Sequence, residues 1–102
     1  MGQTVTTRVS SRLVRELERI SREERLDRSA AVRRLLEDAV RQWKIEHALR
    51  RYARGEVTLW TAATIADLSL RSMIDEAARR GILVRYSVED LREDMRALGN
   101  AR

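Results

Sequence analysis

Three side chains near the amino terminus have the chemistry needed to contact DNA bases. Thr4, Thr6 and Arg8 alternate within the stretch TVTTRVS, so an extended backbone would present all three on one face. Their hydroxyl and guanidinium groups suit a major groove, which admits a two-stranded β-ribbon. We therefore predict a base-reading face at this strand, with Arg8 the residue best suited to guanine.

Enzymatic and metal chemistry lack the residues they would need. The chain has no cysteine and a single histidine, His47, which lies between charged residues of a predicted helix. A solvent-facing or packing role fits His47 better than that of a base or a ligand. The four glycines are scattered and form no phosphate-binding loop. We expect no enzymatic activity, no cofactor and no metal site.

The size of the chain allows one domain or two very small modules. A core built from 102 residues buries only a modest share of the surface, which favours oligomerisation. No apolar run approaches the roughly 18 residues of a membrane span, and the first residues are too polar for a signal peptide. We expect no membrane partner and a cytoplasmic location.

Positive charge is concentrated in the first half of the chain. Residues 1–54 carry 14 Lys and Arg against 8 Asp and Glu, a net charge of +6. Residues 55–102 carry 7 against 8, a net charge of −1. This asymmetry predicts an acidic partner for the first half and a different partner for the second.

The elements that would position these side chains are mainly helices. Ser10 can cap a helix to about Arg25, and Asp27 can cap a second helix whose apolar residues repeat as far as Trp43. From Ile45 the apolar residues change face, so the helix either breaks near Lys44 or serves two cores in succession. Further helices are predicted after Thr58, Ser69 and Ser87. Gly55 ends the helical region before Thr58, and Gly81 ends the helix that Ser69 starts. Ile82–Tyr86 is predicted to be extended and precedes the last helix.

The strand Thr4–Val9 needs a second strand, because a lone strand leaves its backbone groups unpaired. Two segments could pair with it: Ile82–Tyr86 of the same chain, or Thr4–Val9 of a second copy. The base-contacting side chains favour the second copy, which predicts a swapped-strand homodimer. Its apolar core would comprise Val5, Val9, Leu13, Leu17, Ile20, Val32, Leu35, Leu36 and Val40.

Four segments follow one another in the first half: strand TVTTRV, helix SRLVRELERI, turn RLDRS and helix AAVRRLLEDAVRQW. This succession resembles the ribbon-helix-helix DNA-binding family of Arc, MetJ and CopG-type repressors. The resemblance covers residues 3 to about 45. It implies that Thr4, Thr6 and Arg8 read bases and that the start of the second helix, Asp27, Arg28 and Ser29, binds a phosphate. Free N–H groups and partial positive charge at a helix N-terminus suit that role.

The second half contains the segment ALRRYARGEVTLWTAATIADLSLRSMIDEAARRGILVRYSVEDLREDMRAL. This segment resembles small prokaryotic antitoxins of the VapB type, which share a helix-turn-helix, a short extended segment and a final helix and often accompany PIN-domain ribonuclease toxins. The resemblance implies that Ala62, Ala63, Ala66 and Leu68 pack a helix-turn-helix core. A second DNA-reading role through Arg71, Arg79 and Arg80 is opposed by Asp75 and Glu76 on the same helix, which would repel phosphate.

The predicted architecture is mainly α: a ribbon-helix-helix domain over residues 1–45 and a helical partner-binding module over residues 46–102. The predicted function is that of an antitoxin and transcriptional autorepressor that binds operator DNA as a homodimer and a PIN-domain toxin through its second half. The alternatives are a stand-alone transcription factor without a toxin and an interaction scaffold that never contacts nucleic acid.

Overall fold

Four helices make up the fold seen in the computed structural model, which describes residues 2–84 together with Arg92, Met95 and Arg96. They are α1, Ser11–Glu24; α2, Arg28–Ala53; α3, Leu59–Ile65; and α4, Leu70–Arg79. The chain divides into two compact units, Met1–Ala39 (unit 1) and Val40–Arg102 (unit 2), and the division falls within α2. None of the described helices is long and apolar enough to cross a membrane.

The predicted N-terminal strand is wrong, and with it the swapped-strand ribbon-helix-helix fold. Residues 2–10 have no regular secondary structure, and no β-strand occurs anywhere in the described ranges. Val5, expected to cover a core, is 87% exposed. The physical reason is that alternating β-branched residues form a strand only where another edge satisfies their backbone groups, and residues 2–10 lie against no such edge.

Four of the five predicted helix starts are confirmed, because each is fixed by a local polar side chain; the fifth, at Ser87, lies outside the described residues. Such a side chain accepts a hydrogen bond from a backbone N–H three residues later, which would otherwise lack an intrahelical partner. The four acceptors, with their donors and distances, are Ser10 (Leu13, 3.1 Å), Asp27 (Ala30, 2.7 Å), Thr58 (Thr61, 3.1 Å) and Ser69 (Ser72, 3.1 Å).

All four helices end in the same way. Each is followed by one residue with positive φ: Arg25, Gly55, Asp67 and Gly81. The backbone N–H of the next residue then donates a hydrogen bond to the carbonyl five positions earlier, as Leu26 does to Ser21 and Ile82 does to Ala77. These bonds satisfy carbonyls that the helix itself leaves open. The predicted ends at Gly55 and Gly81 are confirmed.

Helix α2 runs through Lys44 without a break. The sequence left two alternatives, a break near Lys44 or one helix that serves two cores in succession, and the break is wrong. Beyond Lys44 its apolar face belongs to the core of unit 2, where α3 and α4 pack against each other. Leu49 and Met73 are the largest fully buried side chains of that core. Its buried members are Ile45, Ala48, Leu49, Leu59, Ala62, Ala63, Ala66, Met73 and Ala77, with Leu68 partly buried against them.

Unit 1 has no comparable core. Ala31 is its one buried residue among those described. None of the nine predicted dimer-core residues is buried: Val5, Val9, Leu13, Leu36 and Val40 are exposed, and Leu17, Ile20, Val32 and Leu35 are only half-buried. The dimer core itself stays a prediction.

Two predicted elements lie only partly within the described residues. The final helix expected from Ser87 is represented by Arg92, Met95 and Arg96, which are helical. Of the extended segment Ile82–Tyr86, residues 82–84 are described and have no regular secondary structure.

Candidate functional site

The predicted base-reading residues lie in an exposed amino-terminal arm, residues 2–10. Thr4, Thr6 and Arg8 are all exposed, and every other residue of the arm is exposed as well. Residues 1–15 contain three arginines, Arg8, Arg12 and Arg15, and no Asp or Glu. None of the three forms an ion pair with a described residue. The arm and the start of α1 thus present positive charge that no carboxylate of this region offsets.

The predicted phosphate site at the start of α2 is partly occupied by the protein itself. The Asp27 carboxylate accepts the Ala30 N–H at 2.7 Å, and the Asp27 carbonyl accepts the Ala31 N–H at 3.0 Å. The N–H groups of Arg28 and Ser29 bond to no described residue. Two free donors and the Arg28 guanidinium therefore remain at this helix end, while Asp27 acts as the cap.

An ion pair joins α1 to the first part of α2. Arg34 Nη2 donates to Glu24 Oε1 at 2.9 Å. This hydrogen bond and the positive charge lower the pKa of the Glu24 carboxyl, and the same contact raises the pKa of Arg34. The pair fixes the connection between the two helices, which contains Arg25 in the left-handed conformation.

A cleft of about 340 Å³ opens on unit 2 beside the last turns of α2. Its apolar lining comes from Leu49, Ala53 and Ile82, and its charged lining from Glu46, Arg50 and Arg80. Arg80 is fixed there, because it donates to Gln42 Oε1 at 2.8 Å and forms an ion pair with Glu76. Arg50 pairs with no described residue. The cleft suits an occupant that is apolar with negative charge at its edge.

The carboxylate of Glu76 is the centre of a small charge cluster on α4. Arg79 and Arg80 both pair with it, and its side chain is only 17% exposed. Asp75, the preceding residue, is exposed. The two acids that the sequence places side by side therefore differ: one is neutralised within the fold and the other faces solvent.

Sequence reasoning missed an aromatic pair on α2, in which Trp43 is exposed and His47 is half-buried. The rings of Trp43 and His47 stack with centroids 4.8 Å apart and planes 8° from parallel. Trp43 is nevertheless 61% exposed. The i, i+4 spacing of the two residues on a helix was the available signal. Among the described residues, no group of acidic and histidine side chains could hold a metal ion.

Three comparisons relate the chain to known proteins. The sequence model of the "Uncharacterised protein family (UPF0175)" matches residues 27–100. A UPF0175 protein of Archaeoglobus fulgidus is 39% identical over 67 residues, which cover 66% of this chain and 72% of that protein. A UPF0175 protein of Aeropyrum pernix is 44% identical over 52 residues, 51% of this chain and 58% of that protein. No solved structure matches the chain. The matched range contains α2, α3 and α4, whereas the arm and α1 lie outside it.

Proposed function

The chain belongs to the UPF0175 family, and from the surfaces described above we propose that it is a DNA-binding regulatory protein of the antitoxin type. Unit 1 contacts duplex DNA, and unit 2 binds a partner protein, a PIN-domain toxin. Occupancy of unit 2 then tunes repression of the operon that encodes both proteins. A stand-alone transcription factor without a toxin is the alternative.

The observation that carries the DNA-binding proposal is the exposed arm, whose Arg8, like Arg12 and Arg15 at the start of α1, pairs with no described carboxylate. An extended arm that precedes a helix can reach into a DNA groove while the helices contact the backbone. Arg8 is the guanine-contacting residue of the arm, and Thr4 and Thr6 contribute hydroxyl groups to base edges. The arm requires no β-ribbon for this role, since its side chains are already accessible.

The start of α2 supplies the phosphate contact. The free N–H groups of Arg28 and Ser29 and the guanidinium of Arg28 can bind one phosphate. Asp27 supports them as the helix cap rather than as a ligand, because its carboxylate would repel the phosphate.

A second copy of the chain is proposed as the partner of unit 1. A unit of 39 residues with one buried residue among those described cannot supply a stabilising core of its own. Its exposed Leu13 and Leu36 are apolar surface that a second copy would cover. A twofold dimer would then bind an operator with matching symmetry.

The cleft of unit 2 supports the partner-protein half of the proposal. Its apolar lining disfavours a hydrated phosphate backbone and suits a protein side chain. Arg50 and Arg80 beside that lining favour a segment of the partner that places a carboxylate next to an apolar residue.

Binding of the full chain to a labelled duplex from upstream of its own gene tests the DNA half. The logarithm of affinity should fall with the logarithm of salt concentration by about 0.9 per phosphate contacted. Arg8→Ala should cost about 1–3 kcal/mol on that duplex and flatten the preference over a scrambled one. Arg28→Ala should weaken binding to both duplexes alike.

Arg19→Ala is the matched control, because Arg19 is also exposed on unit 1 but pairs with Glu23 at 3.4 Å. It should leave affinity nearly unchanged. Absence of binding to every duplex at low salt would establish the scaffold alternative instead.

Co-expression with the product of the adjacent open reading frame tests the partner half. The two proteins should co-purify, and Ala53→Glu in the cleft should abolish that association while leaving DNA affinity unchanged. DNA binding without any association with the neighbouring product would favour the stand-alone transcription factor.

A further inference from the structure

In unit 2, α3 and α4 are two short helices that pack together across a four-residue turn, which is the connectivity of a helix-turn-helix. The seven-residue α3 and the ten-residue α4 are joined by residues 66–69, with Asp67 in the left-handed conformation. A connection of three to four residues between two crossing helices is typical of the helix-turn-helix motif. Small residues make the contact close: Ala62, Ala63 and Ala66 are buried together with Met73 and Ala77. The packed core therefore fixes the position of α4, and with it the position of the helix's outer face.

The first turn of α4 presents polar groups to solvent. Arg71 and Ser72 are exposed, and Arg71 forms no ion pair or hydrogen bond with a described residue. In helix-turn-helix proteins, residues at the N-terminal end of the second helix contact base edges in the major groove. Arg71 has the position, the exposure and the bidentate donor geometry for such a contact.

The structure weakens the electrostatic objection raised by the sequence. Asp75 and Glu76 together would oppose a phosphate backbone, but Glu76 is largely covered and is paired with two arginines. The one carboxylate that α4 leaves exposed and without an ion pair to a described residue is Asp75. Outside the Glu76 cluster, α4 therefore presents one acid, Asp75, and one cation, Arg71, to solvent.

The position of the boundary between the units also changes the charge of the second. The basic stretch 41–54, with 5 Lys and Arg against 1 acid, belongs to unit 2. Residues 40–84, the continuously described part of unit 2, carry 8 Lys and Arg against 5 Asp and Glu, a net charge of +3. The net charge of −1 given above for the second half was counted from Gly55 onward and therefore leaves out the stretch 41–54.

We propose that α4 is a second DNA-contacting element, which places the Arg71 side chain in the major groove of a duplex. This contact goes beyond the one assigned to unit 1 and uses none of its residues. A single chain then contacts the operator at two places, through the arm and through α4. The cleft beside α2 is lined by none of the exposed residues in the first turn of α4, so a toxin and DNA can occupy different faces of unit 2.

Site-specific photo-crosslinking in the full chain distinguishes the two contacts. A photoreactive phenylalanine replaces Ser72, Arg8 or Leu83, one at a time, and each protein is irradiated with the duplex from upstream of its own gene. Leu83 is the matched control, because it is exposed and lies in the same unit. We expect crosslinks to DNA from positions 72 and 8 and none from position 83.

The outcomes separate this proposal from the proposed function. Crosslinks from position 8 without any from position 72 overturn the α4 contact and leave the unit 1 contact standing. Crosslinks from position 72 alone support α4 and overturn the arm. A single-stranded RNA of the same sequence that competes better than the duplex overturns the assignment of DNA as the ligand of α4.

Binding measurements with Arg71→Ala give a second test. Affinity for the duplex should fall roughly 5- to 150-fold, the range of a bidentate arginine contact to a base. Arg71 is exposed and pairs with no residue that the structure describes, so the variant should keep the helix content and melting temperature of the unchanged chain. An unchanged affinity would overturn the proposal.

Discussion

At the residue scale, the described arginines fall into two classes. Some are paired with a carboxylate, as Arg19 is with Glu23 and Arg34 with Glu24. Others pair with no carboxylate in the described ranges, including the three proposed DNA contacts Arg8, Arg28 and Arg71. An unpaired guanidinium can bind phosphate or base without first breaking an ion pair. Pairing, which depends on the fold, therefore decides which cations of a basic chain are available to nucleic acid.

The ion pair of Glu24 with Arg34 gives a prediction for pH. The pKa of Glu24 is lowered in the folded chain, so the stability it contributes is fully present above the ordinary pKa of Glu. It is lost as the pH falls through the lowered value. Arg34→Ala should return the pKa of Glu24 towards its ordinary value, measured by NMR titration of the carboxyl carbon.

Arg33→Ala is the control for that titration, because Arg33 is exposed beside Arg34 but does not contact Glu24. High salt should reduce the shift in the unchanged chain, since both partners are accessible to solvent. A pKa of Glu24 that stays low in Arg34→Ala would mean that another group holds the charge.

At the element scale, local sequence determines where each helix begins and ends. Polar caps fix the starts, and left-handed residues fix the ends, with two glycines and two non-glycines in that conformation. Gly55 and Gly81 have φ of 76° and 69°, and an added Cβ at either would meet no atom within 4 Å. The demand for glycine at these positions therefore comes from the backbone conformation and not from crowding.

Gly55→Ala and Gly81→Ala should each lower the free energy of unfolding by about 1 kcal/mol, because alanine disfavours the left-handed region. Urea denaturation followed by circular dichroism measures the loss. Gly2→Ala, in the arm and without positive φ, should leave stability unchanged. Equal stability of all three variants would show that these helix ends tolerate a side chain.

At the scale of the whole molecule, the two units differ in how they are stabilised. Unit 2 buries Leu49, Met73 and a set of small residues between its helices. Unit 1 leaves large apolar residues exposed and buries Ala31 alone among its described residues. The difference predicts that unit 2 is stable as a folded body, whereas unit 1 gains stability by association.

Self-association should therefore depend on the apolar surface of unit 1. Sedimentation of the unchanged chain should show a dimer, and Leu36→Glu should shift it to a monomer by placing a charge on that surface. Leu83→Glu, at a leucine of unit 2 that is also exposed, should remain a dimer. If the unchanged chain sediments as a monomer at every concentration, the second copy is removed from the proposal.

Several features were predictable because they depend on near neighbours in the sequence. The caps at Ser10, Asp27, Thr58 and Ser69 each act on the next turn, and the glycines at 55 and 81 act through their own backbone. Periodic apolar residues also predicted the helical class of the chain. Whether Thr4–Val9 forms a strand could not be predicted in this way, since a strand there depends on an edge supplied from elsewhere. The predicted strand is absent for that reason.

By itself, the sequence determined the helices, their boundaries and the supply of arginines, because propensity, capping and charge are properties of residues and their immediate neighbours. Only the tertiary structure decided that α2 continues past Lys44, that the division between units falls inside it, and that Arg80 donates to Gln42, 38 positions away. These depend on which side chains packing brings together, and such contacts cannot be read from spacing along one chain.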